Sequence, residues 1–219
     1  MHDLSCVIAG LLNLFGPWTL LMLWHKRTGA RLLPGPVAFA ICFPVFFTGA
    51  AIRSGFSHDN FYAYYIQQGL LFGIFEEGAK YIALRYILTD YDSRKDAVSY
   101  GIGHSAYESF GAGFACFGII GTGNAASDIV LGNLMSSIGG AIECAAMTVI
   151  IFYGIYTNKA KIYLPLVMLI HAFGNAMTGL FGFSRLIWFT LKIVVFVCVC
   201  YAAARCYKAM TPAYETEEI

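Results

Sequence analysis

Polar residues that can transfer protons or bind metal ions occur inside the long apolar stretches of this chain. Glutamate with histidine can deprotonate a water molecule, and a second histidine with an asparagine amide can stabilise an oxyanion. Two histidines and a carboxylate can instead hold Zn²⁺ and leave one position open for water. The sequence supplies residue types for both schemes and does not choose between them. The residues are Glu76, Glu77, Lys80, His104, Glu108, Glu143, His171 and Asn175.

The spacing of two pairs places each pair on one side of a helix. His104 precedes Glu108 by four residues, and His171 precedes Asn175 by the same interval. Residues four apart lie on one helix face. Each pair is therefore expected to point in a single direction, towards one site shared by several helices.

The adjacent glutamates cannot both face one substrate atom, because neighbouring residues differ by about 100° around a helix. We expect Glu76 or Glu77 to act directly and the other to pair with Lys80 or to hold a neighbouring helix. An interhelical salt bridge, and histidines that only hydrogen-bond helices together, are the structural alternatives. The predicted catalytic residues are Glu76, Glu77, His104, Glu108, His171 and Asn175, with Lys80 and Glu143 in support and Glu76, His104 and His171 as metal ligands.

The composition predicts an integral membrane protein. Hydrophobic residues make up 58% of the 219 residues and charged residues only 12%, whereas about a quarter of the residues in a soluble domain are charged. Lipid must therefore solvate most of the surface, and the net charge of +1 gives no sign of a nucleic-acid partner. The seven cysteines include no C-x-x-C pair and are interpreted as small core residues.

The apolar stretches predict an all-α bundle of about seven transmembrane helices. A helix needs about 20 predominantly apolar residues to cross the bilayer. Short connections leave no room for a second domain, so a single bundle over 1–208 and a short acidic tail over 209–219 are expected. The predicted spans are 4–24, 35–54, 61–88, 97–121, 129–156, 162–182 and 186–207.

The distribution of Lys and Arg predicts an outside N-terminus and a cytoplasmic C-terminus. In this topology the cytoplasmic loops and tail carry nine of these residues, whereas the outer loops carry only Arg53 and Arg185. Glycine is concentrated in the fourth span, which is expected to lie centrally because small residues let membrane helices approach closely. The nine are Lys26, Arg27, Arg31, Arg94, Lys95, Lys159, Lys161, Arg205 and Lys208.

Three motifs in order along the chain carry a family resemblance. Phe75–Tyr81 (FEEGAKY), Tyr100–Glu108 (YGIGHSAYE) and His171–Asn175 (HAFGN) resemble the YhfC family of intramembrane metalloproteases. That family is related to the CAAX prenyl endopeptidases, the PrsW proteases and the seven-helix scaffold subunit of gamma-secretase. The lone Glu143 in the fifth span fits the same arrangement.

The resemblance implies roles for individual residues. The first glutamate of the CAAX-type pair is the base and matches Glu76. The second motif supplies a histidine, here His104, and the third supplies a histidine followed by Asn or Asp, here His171 and Asn175. Two features depart from the CAAX pattern and argue against a CAAX-like substrate: Lys80 lies one residue before the arginine of many members, and Glu108 is more similar to PrsW proteases.

The leading functional hypothesis is an endopeptidase that cleaves a membrane-bound or membrane-presented peptide, with or without Zn²⁺. A non-catalytic scaffold of the same fold is the alternative. A proton- or ion-coupled transporter ranks last, because the sequence shows neither an inverted repeat nor paired broken helices. The expected surroundings are a lipid bilayer, with the bacterial cytoplasmic membrane as the expected location, and a homo-oligomer is compatible with the sequence.

Overall fold

The computed structural model describes residues 2–120, 127–182 and 184–210, and these residues form only helices and the loops between them. A π-helical turn at Ala83–Ile87 continues α3, and a 3-10 turn at Met177–Gly182 continues α6. The all-α prediction is confirmed. The helices are α1 (His2–Thr28), α2 (Pro34–Arg53), α3 (Phe61–Ile82), α4 (Arg94–Gly118), α5 (Ser127–Tyr156), α6 (Ala160–Ala176) and α7 (Arg185–Ala209).

Polar residues at the predicted breaks set the helix ends. The Asn60 side chain accepts a hydrogen bond from the Ala63 amide, and the Ser93 side chain accepts one from Lys95, so each satisfies a free N–H in the first turn. Gly29 follows α1 with a φ of +70°, a left-handed conformation that glycine adopts without a steric penalty. These caps fix where α3 and α4, the helices that carry Glu76 and His104, begin.

Within the described part of the chain, five stretches are long and apolar enough to cross a membrane: Leu4–Thr28, Pro34–Arg53, Ser137–Tyr156, Ala160–Gly179 and Arg185–Ala209. The chain is therefore a polytopic helical membrane protein by length and composition. Both α3 and α4 fall outside this group, and they are the helices that carry charged residues of the candidate site. The count of seven crossings and the direction of the termini stay predictions, and the acidic residues of the predicted tail lie outside the described part of the chain.

Close backbone contact joins α3 to α6. A Cβ added at Gly69 would lie 2.9 Å from the Ala176 nitrogen, and one at Gly73 would lie 2.6 Å from the Met168 carbonyl oxygen. Only glycine lets the two backbones approach this closely. Gly69, Gly73 and Glu77 recur every four residues, so the glycines bring the following carboxylate directly against α6.

The fourth helix lies centrally, as predicted. It packs against α1, α2 and α5, and small residues again permit the contact, since Gly103 meets the Gly35 backbone and Gly101 meets that of Ala145. This packing buries His104 among four helices while the side chain of Glu108 remains partly exposed. The cluster of polar residues therefore lies inside the bundle.

Candidate active site

A cavity of about 500 Å³ lies between α2, α3, α4 and α6. One side is polar and contains five of the predicted site residues. Half of the other lining residues are aromatic. Arg53 at the end of α2, Gln68 in the first half of α3 and Thr178 after α6 also line the cavity. The predicted site residues in the wall are Glu76, His104, Glu108, His171 and Asn175.

Glu76 is the point where the two histidines meet. Its Oε2 atom lies 3.4 Å from His104 Nε2 and 3.7 Å from His171 Nε2. The Glu108 Oε1 atom lies 3.9 Å from the same His104 nitrogen. Side chains from α3, α4 and α6 thus converge, as the helical spacing predicts.

Glu77 points away from the cavity and organises the residues behind it. It is fully buried, and its Oε1 atom lies 2.7 Å from Lys80 Nζ and 2.5 Å from His171 Nδ1. Because a carboxylate paired with an ammonium accepts hydrogen bonds, we assign the proton to Nδ1 of His171. Its Nε2 lone pair is then free to face Glu76. A carboxylate behind a histidine is the usual arrangement around a metal-bound imidazole.

Two cysteines that the sequence analysis interpreted as core residues contact the site. Cys42 Sγ lies 3.1 Å from His104 Nδ1, and Cys144 Sγ lies 3.7 Å from each carboxylate oxygen of Glu108. Cys144 follows the predicted supporting residue Glu143, which is half-buried and does not line the cavity. The neighbouring glutamate is the one sequence feature that could have pointed to Cys144 as a residue near the site. Nothing in the sequence around Cys42 indicates that its thiol contacts His104.

Two sets of potential ligand atoms lie within 4.8 Å of one another among the described residues: Glu76, Glu108 and His171, and also His104, Glu108 and Cys144. Ligands of a tetrahedral zinc ion with bonds of about 2.0–2.1 Å are separated by about 3.3–3.4 Å, so the atoms of either set must move closer together to bind one ion. The predicted trio of Glu76, His104 and His171 is not one of these sets, although Glu76 Oε2 lies within 3.7 Å of an Nε2 atom of each histidine. Glu108 belongs to both sets.

Comparisons with known proteins add one finding. No curated protein and no solved structure matches the chain. A family model matches residues 45–135, a segment that includes Glu76, Glu77, His104 and Glu108 and ends before α6. His171 and Asn175 are therefore tied to the site by geometry. The matching model is that of the YhfC intramembrane metalloprotease family, which confirms the resemblance of the first two motifs over residues 45–135.

Proposed function

We propose that the protein is an intramembrane endopeptidase that hydrolyses a membrane-bound or membrane-presented peptide. The observation that carries this proposal is the meeting of two carboxylates and two imidazoles, from Glu76, Glu108, His104 and His171, at one wall of an internal cavity. Ionisable side chains within a bilayer are costly and usually mark function. The match to a metalloprotease family supports the same reaction class.

Glu76, Glu108 and His171 are the residues that would hold a divalent cation such as Zn²⁺. Their atoms fit within 4.8 Å of each other, and three protein ligands leave a position for water. A bound ion would lower the pKa of that water and polarise the peptide carbonyl. The two carboxylates offset the charge of one dication, while Lys80 already compensates Glu77.

Glu76 and His104 are the proposed proton carriers. The Glu76 carboxylate accepts the proton of the attacking water. His104, whose Nε2 atom lies 3.4 Å from Glu76 Oε2, donates a proton to the departing amine. The thiol of Cys42 lies at the other ring nitrogen of His104 and fixes the orientation of the ring. Asn175 lines the same cavity, where its amide N–H can stabilise the oxyanion of the tetrahedral intermediate.

The cavity walls support a peptide within an apolar segment as the substrate. Phe46 and Phe47 line the cavity from α2, and 40% and 65% of their surface is exposed. A hydrophobic chain can therefore pass from lipid to the polar wall between aromatic side chains. The aromatic wall also keeps bulk water from the proton carriers, which strengthens their electrostatic interactions.

Proteolysis in reconstituted vesicles tests the proposal. The purified protein is incorporated with membrane proteins of its host, and new peptide termini are identified by mass spectrometry. Glu76→Gln and His171→Ala are each expected to lower cleavage by about 10²–10⁴-fold, since each removes a participant in proton transfer or ion binding. Asp59→Asn, an exposed substitution in the loop before α3, is the matched control.

Metal content tests ion binding separately from peptide cleavage. The wild-type protein is expected to retain about one zinc ion per chain, as for a three-ligand site, and His171→Ala is expected to lose it. Cleavage that persists in the folded Glu76→Gln variant would contradict the endopeptidase proposal. A folded, stably assembled partner complex with no new termini would instead favour a scaffold.

A further inference from the structure

The second set of ligand atoms, from His104, Glu108 and Cys144, shares only Glu108 with the proposed zinc ligands. Its members come from α4 and α5, whereas Glu76 and His171 come from α3 and α6. His104 and Cys144 are 3% and 2% exposed. The set thus lies beside the first one, with two buried members and a partly exposed Glu108 side chain that belongs to both sets.

Distances within this set fit a thiolate-bound ion. Zinc bonds of about 2.3 Å to sulfur and about 2.0–2.2 Å to oxygen place the two ligands about 3.5–3.6 Å apart in a tetrahedral site. Cys144 Sγ lies 3.7 Å from both oxygens of Glu108. His104 Nε2 lies 3.9 Å from Glu108 Oε1, so a small inward movement completes the set.

We propose that His104, Glu108 and Cys144 form a second divalent-cation position, with the Cys144 thiolate as a ligand and Glu108 shared between two ions. This proposal rests on the proposed function only in taking the first ion to bind at Glu76, Glu108 and His171. Ion pairs that share a carboxylate are typically about 3.5–4 Å apart. On binding, the thiol loses its proton to solvent and forms a sulfur–metal bond.

The charges make this position the weaker of the two. The carboxylates of Glu76 and Glu108 balance one dication, and Lys80 compensates Glu77 within the same helix. A second dication adds two positive charges that the Cys144 thiolate offsets only by one. Like charges repel strongly in a buried site, so the second ion binds at a higher concentration than the first.

An ion at the second position inhibits hydrolysis. It occupies His104 Nε2, the atom proposed to protonate the departing amine, and it draws Glu108 away from the first ion. Activity is therefore expected to rise with the first equivalent of zinc and to fall as the second position fills. The inhibition is a regulatory property of the chain's own cluster and requires no other protein.

Titration of the metal-free protein with Co²⁺ tests the second position without any activity assay. The wild type is expected to bind two ions, with the near-ultraviolet charge-transfer band of a cobalt–thiolate bond growing only with the second. Cys144→Ser is expected to bind one ion and to show no such band. Cys198→Ser, at an exposed cysteine of α7, is the matched control and should retain both features.

The outcomes distinguish this inference from the proposed function. One bound ion without a thiolate band overturns the second position and leaves the first ion site intact. One ion with a thiolate band also overturns it, because Cys144 would then belong to the first ion. In the cleavage assay, loss of zinc inhibition in Cys144→Ser supports the proposal, whereas unchanged inhibition in this variant contradicts it.

Discussion

Asp96 and Glu77 are both buried carboxylates paired with a cationic side chain, but their surroundings differ. Both oxygens of Asp96 accept hydrogen bonds from Arg31, one from its backbone N–H and one from Nε, each at 2.7 Å. Both partners of Glu77 instead bind one oxygen, Oε1, and Oε2 has no hydrogen-bond partner among the described residues. The first carboxylate is fully satisfied and the second is not.

The position of each pair explains the difference. Arg31 lies in the loop between α1 and α2, and its side chain is 45% exposed, so water also solvates it. Its hydrogen bond to Asp96 raises the pKa of Arg31 further above its usual value and keeps the pair charged. Glu77 and Lys80 are fully buried. Beyond pairing with Lys80, the Glu77 carboxylate accepts a hydrogen bond from His171 and so orients its ring. The pair of Arg31 and Asp96 therefore fixes a loop against α4, whereas the pair of Lys80 and Glu77 orients the imidazole ring of His171.

The largest expected effect follows from removing the ammonium of the buried pair. Lys80→Met leaves the Glu77 carboxylate buried without its cation, which costs about 3–5 kcal/mol of folding free energy. Unfolding in mild detergent, monitored by circular dichroism, measures the loss. A melting temperature equal to that of the wild type would show that Glu77 is not charged in the folded protein.

The next largest effect is expected when a side chain is added at the close contact between α3 and α6. Gly73→Ala places a Cβ 2.6 Å from the Met168 carbonyl oxygen, so the helices must separate at a cost of about 1–3 kcal/mol. Zinc affinity should fall with stability, because the same separation draws His171 away from Glu76. Gly16→Ala, where a Cβ meets nothing within 4 Å, is the control and should leave both quantities unchanged.

Removing both charges of the buried pair sharpens the comparison. Glu77→Gln with Lys80→Met leaves no uncompensated charge, and the glutamine oxygen can still accept the His171 N–H. We expect the double variant to regain most of the stability that Lys80→Met loses but to bind zinc about 10–100-fold more weakly, as when a carboxylate behind a metal-bound histidine is removed. Competition with a chromogenic chelator measures this affinity, and an unchanged value would limit Glu77 to a structural role.

The smallest effect is expected at the pair of Arg31 and Asp96, whose guanidinium is partly exposed. Arg31→Gln removes the side-chain partner of Asp96, but the Arg31 backbone N–H still donates and water can replace the guanidinium. The expected loss is about 0.2–1 kcal/mol, as for ion pairs whose cation is solvated, and zinc content should not change. A loss as large as that in Lys80→Met would remove the distinction between the two pairs.

The sequence predicted the helical architecture and the convergence of Glu76, His104 and His171, because apolar stretches of about 20 residues form helices in a bilayer and residues four apart share a face. It did not predict the contacts of Cys42 and Cys144. Their partners are 62 and 36 residues away, and only the packing of separate helices determines which side chains meet. Helix packing also explains why Glu108 belongs to both sets of ligand atoms, whereas its spacing in the sequence pairs it only with His104.

Gly69 and Gly73 have a thermodynamic consequence, since they join the helix pair that carries Glu76, Glu77 and His171. Any ion that binds across α3 and α6 binds only while the two helices are packed, so its binding free energy adds to the stability of that pair. At about 100 times its dissociation constant an ion adds about 2.7 kcal/mol. Under the proposed function, the free zinc concentration around the membrane therefore sets how firmly this bundle stays assembled, and a chelator acts on it as a mild denaturant.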